Sequence, residues 1–126
     1  MKEIMAVIRQ DKMNATKAAL VEAGISSLTA QKVLGRGKGN VDYQILEGAG
    51  EGNEAALAQL GNGPRLIPKR MLTLVVPDEK KDTVVQAILK VNKMGKPGDG
   101  KIFVLPLMDA YRVRTGENSD TALDEG

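Results

Sequence analysis

The sequence predicts an α+β domain in which a strand–helix–strand unit occurs twice, and three observations lead to this fold class. Short apolar runs begin at residues 4 and 71, a helical stripe follows each run, and a further strand-like run follows each stripe. With 126 residues the chain can bury one core of its own. The strands are apolar on both faces, so one face can lie against the two helices while the other needs a cover. We therefore expect a ferredoxin-like βαββαβ sandwich with an antiparallel sheet.

The uncovered face of that sheet is expected to be buried by oligomerisation. A charge placed in it, such as Val104→Asp, should then disrupt assembly. The alternative is a monomer whose tail covers the sheet, which the polar residues after Glu117 disfavour.

The first unit starts with an apolar strand over residues 4–8, followed by Asp11 and a helical pattern. Four residues of that pattern fall on one stripe: Met13, Thr16, Leu20 and Ala23. Gly24 is placed to end the helix as its C′ residue. A second strand is predicted over residues 28–34.

The second unit starts with a strand over residues 71–76, after which Pro77 precedes Asp78, the expected N-cap of the second helix. The stripe of this helix consists of Val84, Ala87, Ile88 and Val91. Gly95 is expected to end the helix. A closing strand over residues 101–107 completes the unit.

A long insertion over residues 38–66 separates the two units. It is rich in glycine: Gly39, Gly48, Gly50, Gly52, Gly61 and Gly63. Loops of this length are usually functional or disordered. A flexible linker would need no apolar residues, but this segment and its C-terminal flank contain Leu57, Leu60, Leu66 and Ile67. We therefore favour a partner-binding loop over a linker, with a short helix over residues 54–60.

The composition excludes several classes of function. A net charge of only +2 gives no reason to expect nucleic acid or a membrane surface as a partner. The chain has no cysteine and no histidine, which excludes a disulfide framework, a thiolate metal site and the commonest general base. The only aromatic residues are Tyr43, Phe103 and Tyr111, too few to stack bases on the sheet, and we expect Phe103 in the core. Without a membrane span or a signal peptide, we expect a soluble cytoplasmic protein.

Residues 95–101 form a glycine-rich turn with the spacing G-x-x-x-x-G-K, which suits a phosphate. The match to an ATPase P-loop fails, because Ile102 stands where Ser or Thr would hold magnesium and a strand follows instead of a helix. A structural turn without a ligand is the alternative. Arg112 and Arg114 favour phosphate binding, because on extended backbone residues i and i+2 project to one face and could converge on one anion.

The same residues resemble the C-terminal motif of the PII nitrogen-regulatory proteins. The resemblance rests on Gly98-Asp99-Gly100-Lys101-Ile102-Phe103-Val104 and on Arg112-Val113-Arg114-Thr115-Gly116-Glu117. Further matches are Met1-Lys2-Glu3-Ile4, Ala6-Val7-Ile8-Arg9, Gly35-Arg36-Gly37-Lys38-Gly39, Pro68-Lys69 and Val75-Val76-Pro77-Asp78. The resemblance covers nearly the whole chain except residues 40–65, and it implies a single PII-like domain over residues 1–126.

The resemblance implies a homotrimer that binds ATP or ADP in clefts between subunits, and 2-oxoglutarate with Mg²⁺ at the base of a long T-loop. The T-loop would span about residues 36–68, the B-loop about 94–101 and the C-terminal loop about 112–126. The implied nucleotide-binding residues are Thr29, Gly35, Arg36, Gly37, Thr73, Val75, Gly98, Asp99, Gly100, Lys101, Arg112 and Arg114. The implied 2-oxoglutarate-binding residues are Gly37, Lys38 and Lys69.

Two departures from the family pattern bear on regulation. Gly37 replaces a glutamine that helps to hold magnesium and 2-oxoglutarate in most members, so we expect weaker effector binding in this subunit alone. The tyrosine modification motif is missing, and no Ser or Thr lies between Arg36 and Lys69. We therefore expect no switching by covalent modification of the loop, since Tyr43 lacks the family context.

The glycine-rich insertion and its flanks resemble the branch of the family encoded in nitrogen-fixation operons, in which two related PII subunits together inhibit nitrogenase. The resemblance implies a regulator, not an enzyme, whose T-loop docks on a nitrogenase component in response to ammonium, alone or with a sister PII subunit. The alternative within the family is a regulator of an ammonium channel or of glutamine synthetase. The alternative of another class is a small nucleotide-hydrolysing enzyme, which the lack of a candidate base disfavours.

Overall fold

The computed structural model describes residues 1–36 and 66–123 and confirms the α+β, ferredoxin-like fold. Its strands and helices are, in chain order, β1 (Lys2–Arg9), α1 (Met13–Glu22), β2 (Thr29–Gly35), β3 (Ile67–Val76), α2 (Lys81–Asn92) and β4 (Gly100–Pro106). The four strands form one sheet in the order β2-β3-β1-β4, and each pair of neighbours is antiparallel. No helix in the described part of the chain is long and apolar enough to span a bilayer.

Three short 3-10 segments accompany these elements, at Gln10–Lys12, Asp78–Lys80 and Ser119–Ala122. The second of them corrects one prediction, because Asp78 lies in the 3-10 segment and α2 begins only at Lys81, without a side-chain cap. The carboxylate of Asp78 instead pairs with the α-amino group of Met1 at 3.0 Å.

The boundaries of two further predicted elements also differ. β3 begins at Ile67, four residues before the predicted start, because its first residues pair with β2. α2 ends at Asn92, and the extended backbone of Lys93 terminates it, whereas Gly95 lies beyond the helix in the following turn.

The core lies between the sheet and the two helices and is aliphatic, as the shortage of aromatic residues predicts. It consists of Ile4, Ala6, Ile8, Leu20, Ile25, Leu72, Leu74, Val76, Val84 and Ile88. The β1 and β3 members occupy alternate positions, so they all project to the same face of the sheet. That alternation, together with the stripes on the helices, decides which face of the sheet is covered.

A buried polar pair joins the two helices. The Asn92 side-chain amide donates to the Thr16 hydroxyl at 3.0 Å and to the Ile88 carbonyl at 2.9 Å. At the end of α1, Gly24 has φ +84° and confirms the predicted helix stop. Hydrogen bonds from Gly24 to Val21 and from Ile25 to Leu20 complete a Schellman motif there.

The opposite face of the sheet, here called the open face, carries the other alternate residues. Its apolar members are Met5, Val7, Val33, Ile67, Met71, Val75, Phe103 and Leu105. Phe103 keeps 48% of its surface exposed, so its predicted place in the core is wrong for the single chain. Val104, in contrast, pairs with the buried Ile4 and belongs to the helix side, which makes it the wrong position for testing the open face.

Candidate functional site

The glycine-rich turn between α2 and β4 is organised by one carboxylate. Oδ2 of Asp99 accepts backbone N–H bonds from Met94, Gly95 and Lys96 at 2.8, 2.9 and 3.2 Å. These bonds, with that from Met94 contributing most, hold the pKa of the Asp99 carboxyl below its ordinary value of 3.8. Asp99 is therefore ionised at neutral pH, and its charge fixes the shape of the turn.

The glycines of this turn are required by its backbone. Gly95, Gly98 and Gly100 have φ values of +76°, +91° and +112°, in the left-handed region that favours glycine. Gly100 is also sterically restricted, because a Cβ there would overlap the backbone carbonyl oxygen of Val7. The start of β4 therefore passes β1 at a distance that only glycine allows.

Two cations from the sheet hold the outer side of the turn. The guanidinium of Arg9 donates to the Pro97 carbonyl at 2.8 Å and pairs with Oδ1 of Asp99 at 3.4 Å. The ammonium of Lys69 donates to the Gly98 carbonyl at 2.7 Å. Arg9 and Lys69 are opposite each other in the β1–β3 register, so both reach the turn from the same face of the sheet.

Arg9 is the residue that the sequence reasoning missed. It carries the family resemblance in the run Ala6-Val7-Ile8-Arg9, but nothing local gives it a role. The signal that could have identified Arg9 is its position at the end of β1, two residues after Val7. That position places it on the open face with Lys69.

Lys69 is buried beside the glycine-rich turn. Its side chain is 7% exposed, and within residues 1–36 and 66–123 no carboxylate pairs with it. A buried ammonium whose described partner is a neutral carbonyl gains from the arrival of a negative charge. A depression of about 440 Å³ lies beside it, lined by Arg9–Asp11 and Ile67–Arg70, and its cations outnumber the one carboxylate of Asp11.

Several predicted nucleotide residues share the open face. Thr29 and Thr73 are directly opposite each other on β2 and β3, and Val75 lies two residues further along β3. Lys101 is exposed on the same face, opposite Val7. One face of the sheet thus presents these four of the implied nucleotide-binding residues.

Arg112 and Arg114 do not lie on a strand of the sheet. The prediction that they sit on extended backbone is therefore wrong. Residues 113–115 form a turn, so Arg112 and Arg114 do not project as alternate residues of a strand. Arg112 bonds across this turn to Glu117, from its backbone N–H at 2.8 Å and from its guanidinium at 3.2 Å. Among the described residues, no hydrogen bond or ion pair joins either arginine to the glycine-rich turn.

The remaining predicted residues lie at the end of β2. Gly35 is its last residue and pairs with Ile67, and Arg36 follows directly. Gly37 and Lys38, Tyr43 and the expected helix over residues 54–60 lie outside the described residues. The described residues contain no cluster of three or more metal-ligating side chains.

Comparison with known proteins gives one consistent result. The sequence pattern of the family described as Nitrogen regulatory protein P-II matches residues 1–117. The chain is 48% identical to Nitrogen fixation nifHD region GlnB-like protein 2 of Methanobacterium ivanovii, over 98% of this chain and 99% of the relative. A protein of the same description from Methanococcus maripaludis is also 48% identical, over 98% of this chain and 100% of the relative. Nitrogen regulatory protein P-II 1 of Escherichia coli (strain K12) is 36% identical, over 98% of this chain and 100% of the relative.

Proposed function

The chain belongs to the nitrogen regulatory protein P-II family, and from that premise we propose that it is a trimeric sensor of ATP or ADP and 2-oxoglutarate that controls nitrogenase. Members of this family are regulators of other proteins and not enzymes, which removes the nucleotide-hydrolysing alternative. The relatives named for a nitrogen-fixation region support nitrogenase as the target over an ammonium channel or glutamine synthetase.

The observation that carries this proposal is the pair of cations at the glycine-rich turn. Lys69 is buried without a carboxylate partner among the described residues, and Arg9 lies beside it on the same face. A dicarboxylate such as 2-oxoglutarate would supply the missing negative charge, with Gly37 and Lys38 as the further contacts that the family resemblance implies. As the family resemblance implies, Mg²⁺ would accompany this effector and supply positive charge near the phosphates of ATP.

The arrangement of the phosphate-binding groups supports a site shared between subunits. Within the described part of one chain, no hydrogen bond or ion pair joins the glycine-rich turn and Lys101 to the turn that carries Arg112. Nucleotide bound at the turn of one subunit would therefore meet the arginines of its neighbour. The apolar open face supports the trimer that brings them together, because three copies of it would bury one another.

Adenine nucleotide binding is tested by removing one charge at a time. We expect Lys101→Ala and Arg112→Ala each to weaken ATP binding about 10- to 100-fold, since a charge-assisted hydrogen bond contributes roughly 1.5–3 kcal/mol. Titration calorimetry on the assembled protein measures the ATP affinity of each variant. Lys17→Ala, which removes the same charge from the exposed surface of α1, is the matched control and should bind ATP normally. Unchanged affinity in both test variants would contradict the site.

The target is tested with the long loop. We expect the wild-type protein, alone or with a sister PII subunit, to inhibit nitrogenase, and ATP with 2-oxoglutarate to release the inhibition. A variant lacking residues 40–63 should not inhibit, because the deletion removes the segment that we propose docks on nitrogenase. Nitrogenase activity and ATP affinity are measured on the same preparations. Equal inhibition by both proteins would show that the loop is not the docking element.

A further inference from the structure

The segment that carries the two arginines is closed at its base by a carboxylate with no assigned role. Oδ1 of Asp109 accepts the backbone N–H of Ala110 at 2.8 Å and that of Ser119 at 2.9 Å. Its Oδ2 lies 3.5 Å from the side-chain amide of Asn118. One side chain thus joins two ends of an eleven-residue segment, residues 109–119, here called the arginine hairpin.

The backbone closes around the same point. Ser119 N–H also donates to the Ala110 carbonyl at 3.0 Å, and Tyr111 forms an isolated antiparallel bridge with Asn118. Ser119 has φ +59°, a left-handed conformation that is unfavourable for a residue with a side chain. The bonds from its N–H to Asp109 and Ala110 offset that cost and keep the chain in this conformation.

The segment that follows the arginine hairpin is held as well. Leu123 follows the 3-10 segment Ser119–Ala122 and is 9% exposed. It lines a small cavity with Ile25, Val76 and Pro77, between the end of α1 and the end of β3. The chain that follows the hairpin is therefore packed against the ends of α1 and β3.

We propose that Asp109 is a positioning residue for nucleotide binding, which fixes the arginine hairpin so that Arg112 is presented to phosphate in a single geometry. The inference rests on the proposed function, because it requires that Arg112 binds nucleotide. Its physical basis is preorganisation: a guanidinium on a formed hairpin loses less conformational entropy on binding than one on a free chain. The backbone N–H of Ala110 and then that of Ser119 lower the pKa of the Asp109 carboxyl, so the group is ionised and a strong acceptor at neutral pH.

The test compares two substitutions at this position by ATP calorimetry. Asp109→Ala should weaken ATP binding about tenfold, since both backbone N–H groups lose their side-chain acceptor. Asp109→Asn should restore most of the affinity, because the amide oxygen accepts the same two bonds. Asp120→Ala is the matched control, since Asp120 is an exposed acid that directly follows the hairpin and, among the described residues, its side chain makes no hydrogen bond to it. It should bind ATP as the wild type does.

A double substitution separates positioning from general destabilisation. In the Arg112→Ala background, Asp109→Ala should weaken ATP binding no further, and hydrogen exchange at residues 110–118 should rise in the single variant. An equal further loss in that background, wild-type affinity in Asp109→Ala, or failure of Asp109→Asn to restore binding would each overturn the inference. If neither Arg112→Ala nor Lys101→Ala affects ATP, the proposed nucleotide site fails instead, so the two failures are distinguishable.

Discussion

Gly100→Ala is expected to abolish nucleotide binding and to destabilise the fold by about 2–6 kcal/mol. The new Cβ would overlap the carbonyl oxygen of Val7, and the residue would have to keep φ +112°. Backbone strain contributes roughly 1–3 kcal/mol and overpacking about the same again. Since the clash is with backbone, β4 must move away from β1. That movement displaces Lys101 and the turn that Asp99 organises.

Gly95→Ala is the matched control in the same turn. It also has positive φ, +76°, but nothing lies within 4 Å of a Cβ built there. We expect it to cost about 1 kcal/mol from the left-handed conformation alone and to retain ATP binding. Urea unfolding and ATP calorimetry on both variants provide the measurement. Equal effects of the two substitutions would mean that the contact with Val7 does not set the geometry of the turn.

The elements that the sequence predicts well are those whose signals are local. Short apolar runs at residues 4–8 and 71–76 indicate strands, and the stripe containing Thr16 and Leu20 indicates a helix face. Gly24 ends α1 because only glycine readily adopts the left-handed C′ conformation. Each of these inferences needs only the residues within one or two turns, which is why the order of elements is correct.

Inferences that depend on tertiary partners fail or remain incomplete. Asp78 is a residue type that often caps a helix. In the structure it lies in a 3-10 segment, and its carboxylate pairs with the α-amino group of Met1. The spacing of Arg112 and Arg114 cannot distinguish a strand from a hairpin turn, because both are compatible with the same residues. Arg9 acquires its role only through the register that places it opposite Lys69. None of these contacts is encoded by neighbours in sequence.

In the candidate site too, the sequence predicts local features and misses contacts between side chain and backbone. Glycine-rich spacing correctly locates the turn, with positive φ at three positions, although β4 already begins at Gly100. It does not reveal that the Asp99 carboxylate points into the turn and accepts three backbone N–H bonds. Asp99 therefore stabilises the loop that would surround a phosphate, and the cations around it supply the attraction.

The second large effect is expected from a charge on the open face. Phe103→Asp should convert the proposed trimer into monomers, since the substituted residue would bury an unpaired carboxylate in an apolar interface in each subunit. The monomer itself should stay folded, because Phe103 is 48% exposed and does not belong to the core. ATP affinity should fall when the trimer dissociates, because Arg112 of one subunit can then no longer reach the glycine-rich turn of another.

Val104→Asp is the control that separates the effect of a charge on the open face from the effect of a charge anywhere on β4. Val104 is adjacent to Phe103 on the same edge strand and is similarly exposed, at 44%. It lies on the helix side of the sheet, where it pairs with Ile4. Light scattering should report trimers for this variant and for the wild type, and monomers for Phe103→Asp. If the wild type is already monomeric when dilute, the open face has another cover. If both variants dissociate, the interface includes the edge of β4 as well as its open face. Dissociation of Phe103→Asp alone, with ATP affinity lost in parallel, would tie the nucleotide site to the buried open face.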